Sequence, residues 1–164
     1  MDLQAMYQEI ILDNYKRPSH KGLQEPFEIE VHHVNPTCGD EITLRLSLAD
    51  GQIVGLSWDG LGCSISQAST SVMTTLVDAK SLLEVEEIGD EFLRLMQGRG
   101  AVIPNEELLE DGVAFSGVAK YPARVKCALL GWMALKDAIV QLTERNGNPE
   151  STNRIVPDRS QNEH

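Results

Sequence analysis

No stretch of this chain approaches the roughly 20 consecutive apolar residues that a membrane-spanning helix needs, so no transmembrane segment is expected. Positive charge is scarce. Fourteen Lys and Arg stand against 25 Asp and Glu, giving a formal net charge of -11 and a pI near 4.7. Binding nucleic-acid phosphates requires a basic surface, so DNA and RNA are excluded as the main partner, and an acidic membrane surface is disfavoured on the same ground. The opening Met1-Asp2-Leu3-Gln4 lacks the basic patch and apolar stretch of a secretory signal, so a cytoplasmic location is expected. Cysteine is sparse too. Cys38, Cys63 and Cys127 are an odd number and contain no C-x-x-C pair, which argues against a disulfide framework and for reduced thiols. Gly60-Leu61-Gly62 has no third glycine and no Lys-Ser/Thr pair, so it does not read as a phosphate loop. Ser64, Ser66, Ser69 and Ser71 lack a nearby His-Asp arrangement, against a serine hydrolase.

What is present fits one globular domain of 164 residues, large enough to bury a core without staples. Residues 2 to about 16 have apolar residues at helical spacing (Leu3, Met6, Tyr7, Ile10, Ile11), with Asp2 as N-cap and Pro18 as terminator. The simplest role for that helix is core packing. Three alternating strands follow, with inward sets Phe27, Ile29 and Val31, then Ile42, Leu44, Leu46 and Leu48, then Val54, Leu56 and Trp58. Asp50-Gly51 marks a hairpin between the second and third. Helices are expected from residue 64 to about Ala79 (inner face Ile65, Ala68, Val72, Leu76 and Val77), over about 84–97, and from Pro122 to about Leu142. Residues 101–120 read as a connector, with at most a short helical turn at Asn105 to Glu110. The expected class is α+β: a small antiparallel three-stranded sheet packed against about four to five helices. One domain is expected over 1–144, with a tail, 145–164, whose polar composition predicts disorder in isolation. Nine acidic residues crowd residues 84–111, which reads as a solvated face or as steering toward a basic partner.

Each cysteine falls at a junction between elements. Cys38 lies in a loop between the first two strands, Cys63 where the third strand gives way to a helix, and Cys127 in the first turns of the last helix. Three buried structural thiols is one reading. A single convergent site is the other, because helix starts favour thiolate and thiolates are soft metal ligands. Asp40 stands two residues after Cys38, where an extended strand would point both side chains the same way, and Gly39 lets the backbone approach an ion. Cys38, Asp40, Cys63 and Cys127 therefore make a candidate Cys3Asp tetrahedral zinc site. His32 and His33, adjacent on a strand, point to opposite faces, and His20 lies in a turn read as exposed. Arg124 and Lys126 read either as ordinary helix surface or as charges that balance the thiolates or contact a partner.

The words around the cysteines, Pro36-Thr37-Cys38-Gly39-Asp40, Gly60-Leu61-Gly62-Cys63-Ser64-Ile65-Ser66-Gln67-Ala68-Ser69 and Arg124-Val125-Lys126-Cys127-Ala128, resemble those of the IscU/NifU family of iron-sulfur cluster assembly proteins. The resemblance implies the IscU/SufE-like fold. Scaffold members place a histidine ligand immediately before the third cysteine; here that residue is Lys126. The segment between Cys63 and Cys127 is also longer than in the scaffolds, and Arg124 matches the SufU pattern. These features are similar to the SufU branch. That resemblance implies a zinc-dependent sulfurtransferase that accepts persulfide sulfur from a SufS-type, PLP-dependent cysteine desulfurase and serves downstream iron-sulfur assembly proteins. It implies that the desulfurase exchanges a zinc ligand and frees Cys38 as the nucleophile, with Asp40, Cys63 and Cys127 keeping the metal. The alternatives are a scaffold for a transient iron-sulfur cluster on the same four ligands, and a closed structural zinc domain.

Overall fold

The computed structural model describes residues 2–147. Three strands, β1 (Ile29–Asn35), β2 (Asp40–Ala49) and β3 (Gln52–Leu61), form an antiparallel sheet in the order β1-β2-β3. Helices α1 (Leu3–Lys16), α2 (Ser64–Val77), α3 (Leu82–Gln97), α4 (Glu106–Leu109) and α5 (Pro122–Gly147) surround it, and a run of 3-10 turns (Glu110–Lys120) joins α4 to α5. The α+β architecture is the one expected. α5 lies across β1 and β2, and α2 is wedged between α5 and α1.

The strand patterns carry into three dimensions with one slip. Ile29, Val31, Ile42, Leu44 and Leu46 point inward and are buried. The strand on which Phe27 was placed begins only at Ile29, and Phe27 lies half-exposed beneath the Arg45 guanidinium. In β3 the inward residue is Ile53, not Val54. A bulge between Ser47 and Leu48 pairs Ser47 with Gly55 and Leu48 with Ile53, leaving Val54 unpaired and turned to solvent.

The helices depart from the amphipathic expectation in instructive ways. α1 is capped by Asp2, whose carboxylate accepts from Ala5 N, but buries no residue fully, so it is an outer layer rather than core. α2 is buried on nearly every side, polar residues included. Its hydroxyls find internal partners, as buried polar groups must. Ser69 Oγ donates to Ala128 O at 2.6 Å and accepts from Trp132 Nε1 at 3.0 Å, tying α2 to α5. A Cβ on Gly131 would meet Thr70 Oγ1 at 2.4 Å, so that glycine sets how closely the two helices approach.

The expected connector is a packed element. Its 3-10 run buries Val113, Ala114, Phe115, Val118 and Ala119. Phe115 meets the edge of Phe92 at 5.9 Å between centroids, and Phe92 stacks on Trp132 at 4.3 Å. Burying each such side chain contributes about 1.5–3 kcal/mol. α5 continues past the expected stop near Leu142 to Gly147, and Arg145 donates to Glu28 O. The remainder of the predicted tail, 148–164, lies outside the described residues. Two members of the acidic run serve the fold. Glu84 closes a capping box with Ser81, and Glu91 accepts from Arg94 and from Asn105 N.

Candidate metal centre

Three chain crossings meet at one end of the sheet. The turn joining β1 to β2 is held by Asn35, whose backbone O accepts from Gly39 N and whose side-chain Oδ1 accepts from Thr37 N. Gly39 adopts φ +74°, a left-handed conformation that favours glycine. Cys38 and Asp40 are therefore brought together by a turn rather than by an extended pleat, and Asp40 is already the first residue of β2. β3 ends at Leu61, and two residues later Cys63 is the N-cap of α2. Cys127 faces inward from the second turn of α5. None of these junctions is near another in sequence.

Cys38 Sγ stands 3.4 Å from Cys127 Sγ. Ligand atoms of Cys38, Asp40 and Cys127 all lie within 4.8 Å of one another, the spread of donors around a single ion. Cys63 joins at the margin, its Sγ 3.4 Å from Asp40 Oδ2. Its backbone N donates to Asp40 Oδ1 at 2.9 Å, so the carboxylate satisfies the first N–H at the start of α2, whose N-cap side chain makes no capping bond. Exposure is graded: Cys38 is exposed, Cys63 half-buried, and Cys127 and Asp40 buried. Arg124 and Lys126 both sit exposed on the first turns of α5. His33 pairs with Asp137 at 2.9 Å, and His32 with Thr43, so neither histidine joins the cluster. His20, read as exposed, is half-buried against Thr74.

The electrostatics ask for a cation. Burial pushes the Cys127 thiol well above the ordinary thiol range, and contacts with Cys38, Asp40 and Cys63 push it further. Burial also opposes ionisation of Asp40, but hydrogen bonds from the Cys38 thiol, the Cys63 backbone N–H and the other two thiols outweigh it and hold the carboxyl below its ordinary value. One buried carboxylate ringed by three thiols is a donor set that fits zinc, since a divalent ion takes the place of the thiol protons and favours the Cys127 thiolate that burial disfavours. The packing is shaped to the carboxylate as well. A Cβ on Gly62 would meet Asp40 Oδ1 at 2.5 Å and Ser66 Oγ at 2.8 Å.

Sequence reasoning gave no role to Asn35, Ser66 or Ser69, which brace the site. Ser66 Oγ donates to Cys63 O, and Ser69 fixes the helix of Cys63 to the residue after Cys127. Asn35 carried a local signal, since an Asn before a Pro-containing turn is a common side-chain turn former. The serines carried none, because only the crossing of α2 and α5 gives their hydroxyls partners.

Comparison with known proteins follows the same lines. The NifU-like N terminal domain model matches residues 6–128. Over 148 residues the chain is 40% identical to the zinc-dependent sulfurtransferase SufU of Bacillus subtilis (strain 168), spanning 90% of this chain and 97% of that protein. Over 137 residues it is 39% identical to the iron-sulfur cluster assembly scaffold protein IscU of Streptococcus pyogenes serotype M1, spanning 84% of each. The solved structure of FiSufU, named as an iron-sulfur cluster assembly scaffold protein for the SUF system of Fervidobacterium islandicum AW-1, superposes with a TM-score of 0.74 at 34% identity, covering 84% of this chain and 98% of that one. Relatives of nearly equal identity carry different names, so likeness alone does not separate sulfur carrier from scaffold. It does establish the family: the chain belongs to the NifU-like N-terminal domain family, on the SufU side of the proteins of iron-sulfur cluster assembly.

Proposed function

We propose that this protein is a zinc-dependent sulfurtransferase that accepts persulfide sulfur from a SufS-type, PLP-dependent cysteine desulfurase and passes it toward iron-sulfur cluster assembly. One observation carries the reading: of three thiols gathered around Asp40, only Cys38 is exposed. A partner's persulfide can reach Cys38, whereas Cys127 lies beneath it. Zinc held by Cys38, Asp40, Cys63 and Cys127 would keep these thiols deprotonated at neutral pH. The Cys38 thiolate attacks the outer sulfur of the partner's persulfide. A sulfur-sulfur bond forms at Cys38, the partner's sulfur-sulfur bond breaks, and the partner cysteine leaves as a thiolate, with no net change of oxidation state. Gly39 gives the Cys38 turn the freedom to present the thiol outward, while Asp40, held by Cys63 N, stays in place. Arg124 and Lys126, exposed beside the thiols, are suited to balance their charge and to meet the desulfurase.

The second reading is a scaffold on which a transient iron-sulfur cluster forms. Its support is the donor set, which suits iron as well as zinc. Against it stands exposed Lys126, a lysine at the position where the scaffolds' histidine ligand would be. The deciding measurement is anaerobic alanine release from cysteine by a SufS-type desulfurase, with and without the zinc-loaded protein. Strong stimulation that disappears with Cys38→Ala is expected. No stimulation, together with a coloured cluster when iron and sulfide are supplied, would establish the scaffold instead.

A further inference from the structure

The cysteine site has a neighbour. A cavity of about 610 Å3 opens between α1, the start of α2, the 3-10 run and the first turn of α5. Ser64, on its wall, is the residue after Cys63, and Arg124, also on its wall, precedes Cys127 by one helical turn on the same face of α5. Cavity and thiols thus share the starts of two helices.

The charge of this lining is the reverse of the molecule's. Lys120 and Arg124 contribute two cations, and no Asp or Glu is among the described residues that line it. The bias is written along the chain. From Gly112 to Lys136 there are four cations, Lys120, Arg124, Lys126 and Lys136, and no acidic residue, in a protein of net charge -11. The hydroxyls of Tyr7, Ser64 and Tyr121 add hydrogen-bond donors. The volume falls within the roughly 300–1,000 Å3 typical of small-molecule sites. In so acidic a protein, such a lining singles out a small anion, and places it within a helical turn of the thiols.

We propose that this cavity binds a small anionic thiol, with its carboxylates on Lys120 and Arg124, and that this thiol removes the outer sulfur from persulfidated Cys38. The transfer rests on the sulfur-acceptor reading above; the binding does not. The ligand's thiolate attacks the outer sulfur. A sulfur-sulfur bond forms to the ligand, the bond to Cys38 breaks, the outer sulfur leaves with its proton, and Cys38 is released as thiolate. No oxidant or reductant is consumed. The product is a small persulfide, so the reaction that follows must be one that draws sulfur from a diffusible carrier.

Two arms test this on the full zinc-loaded chain. In the first, S-methylglutathione, which has the carboxylates but no reactive thiol, is titrated into 15N-labelled protein at fixed ionic strength. Saturable amide shifts are expected around Ser64, Ser116, Lys120 and Tyr121. Lys120→Gln should raise the apparent Kd about tenfold, the worth of one charge-assisted hydrogen bond, and Lys120→Arg should restore it. Shifts scattered over the surface, or identical shifts with inorganic sulfate at equal affinity, would overturn the assignment. In the second arm, protein persulfidated chemically is discharged by glutathione or by neutral dithiothreitol. Lys120→Gln should slow discharge by glutathione about tenfold and leave dithiothreitol unaffected. Equal effects on both thiols would overturn the transfer. Failure of a desulfurase to load Cys38 would remove the acceptor reading while leaving the first arm intact, so the two failures are distinguishable.

Discussion

Five residues apart on α5, Cys127 and Trp132 anchor two regions built on opposite principles. Around Trp132 the ring contacts and hydrogen bonds are closed within the protein. Its ring stacks on Phe92, Phe115 meets that pair edge-on, and its one polar atom donates to Ser69, which in turn donates to Ala128 O. An apolar cavity of about 470 Å3 between α3 and α5 borders the Trp132 ring, but the polar groups of this cluster all have protein partners. Around Cys127 nothing is closed. Three thiols crowd one carboxylate, burial and those neighbours push the Cys127 thiol up, and the carboxyl is held ionised chiefly by hydrogen bonds from thiols. The first region needs only protein to reach its minimum; the second is short of positive charge. Stability and chemistry are thus separated by little more than a turn of one helix, and they should respond to different perturbations.

The largest effect should come from breaking the closed region. Phe92→Ala removes the ring that both Phe115 and Trp132 touch, at a site with no exposure. A loss of about 3–5 kcal/mol is expected, the usual range for emptying an aromatic site. Urea unfolding should show that same loss in zinc-loaded and chelated protein alike. If the loss vanished on chelation, the two regions would be one cooperative unit and the comparison would fail.

Next in size is the cysteine end. Asp40 does two jobs: it carries charge and it accepts Cys63 N. Asp40→Asn keeps an acceptor and removes the charge, whereas Asp40→Ala removes both. Without metal, Asp40→Ala should cost about 1–3 kcal/mol, the price of a buried N–H left unsatisfied, and Asp40→Asn much less. Zinc affinity, read by competition with a chromophoric chelator, should fall for both. Gly62→Ala should mimic the affinity loss by pressing a methyl group onto the carboxylate. Unchanged affinity in Asp40→Asn would remove that carboxylate from the ligand set.

The contrast between the two regions also explains what was readable in advance. The cysteine motifs were legible because the residue types are rare and their junction positions unusual: Cys38 before a glycine turn, Cys63 at a helix start, Cys127 after one. The alternation in β2 was legible because period two survives any packing. Val54 was misplaced because a bulge shifts the phase by one residue and nothing in Gln52-Ile53-Val54-Gly55 announces it. The 3-10 run was read as a connector because Gly112, Ser116 and Gly117 weaken any helical pattern, while Phe115 is buried by partners distant in sequence. α2 hid best of all. Ser66, Ser69, Thr70, Ser71 and Thr74 look like a polar face and are buried, because α1 and α5 close over both sides.

The smallest expected effect sharpens the comparison from the side of α3. Of the acidic residues clustered there, Glu91 is nearly enclosed, its side chain 11% exposed, and it accepts from Arg94 Nε, Arg94 Nη2 and Asn105 N. The Arg94 hydrogen bonds, aided by Asn105 N and by the cation's charge, outweigh burial and hold its carboxyl below the ordinary value. A carboxyl depressed in the folded state contributes stability that is present above its unfolded value and lost as pH falls through the folded one. Glu91→Gln should therefore cost about 1 kcal/mol at neutral pH, and the gap to the parent protein should close as the pH is lowered below the ordinary glutamate range. Zinc affinity should not move, because Glu91 braces the α4 entry on the closed side of the molecule. A change in zinc affinity in this variant would mean that the acidic helix and the cysteine end are coupled through α5, and that the boundary drawn between Cys127 and Trp132 is in the wrong place.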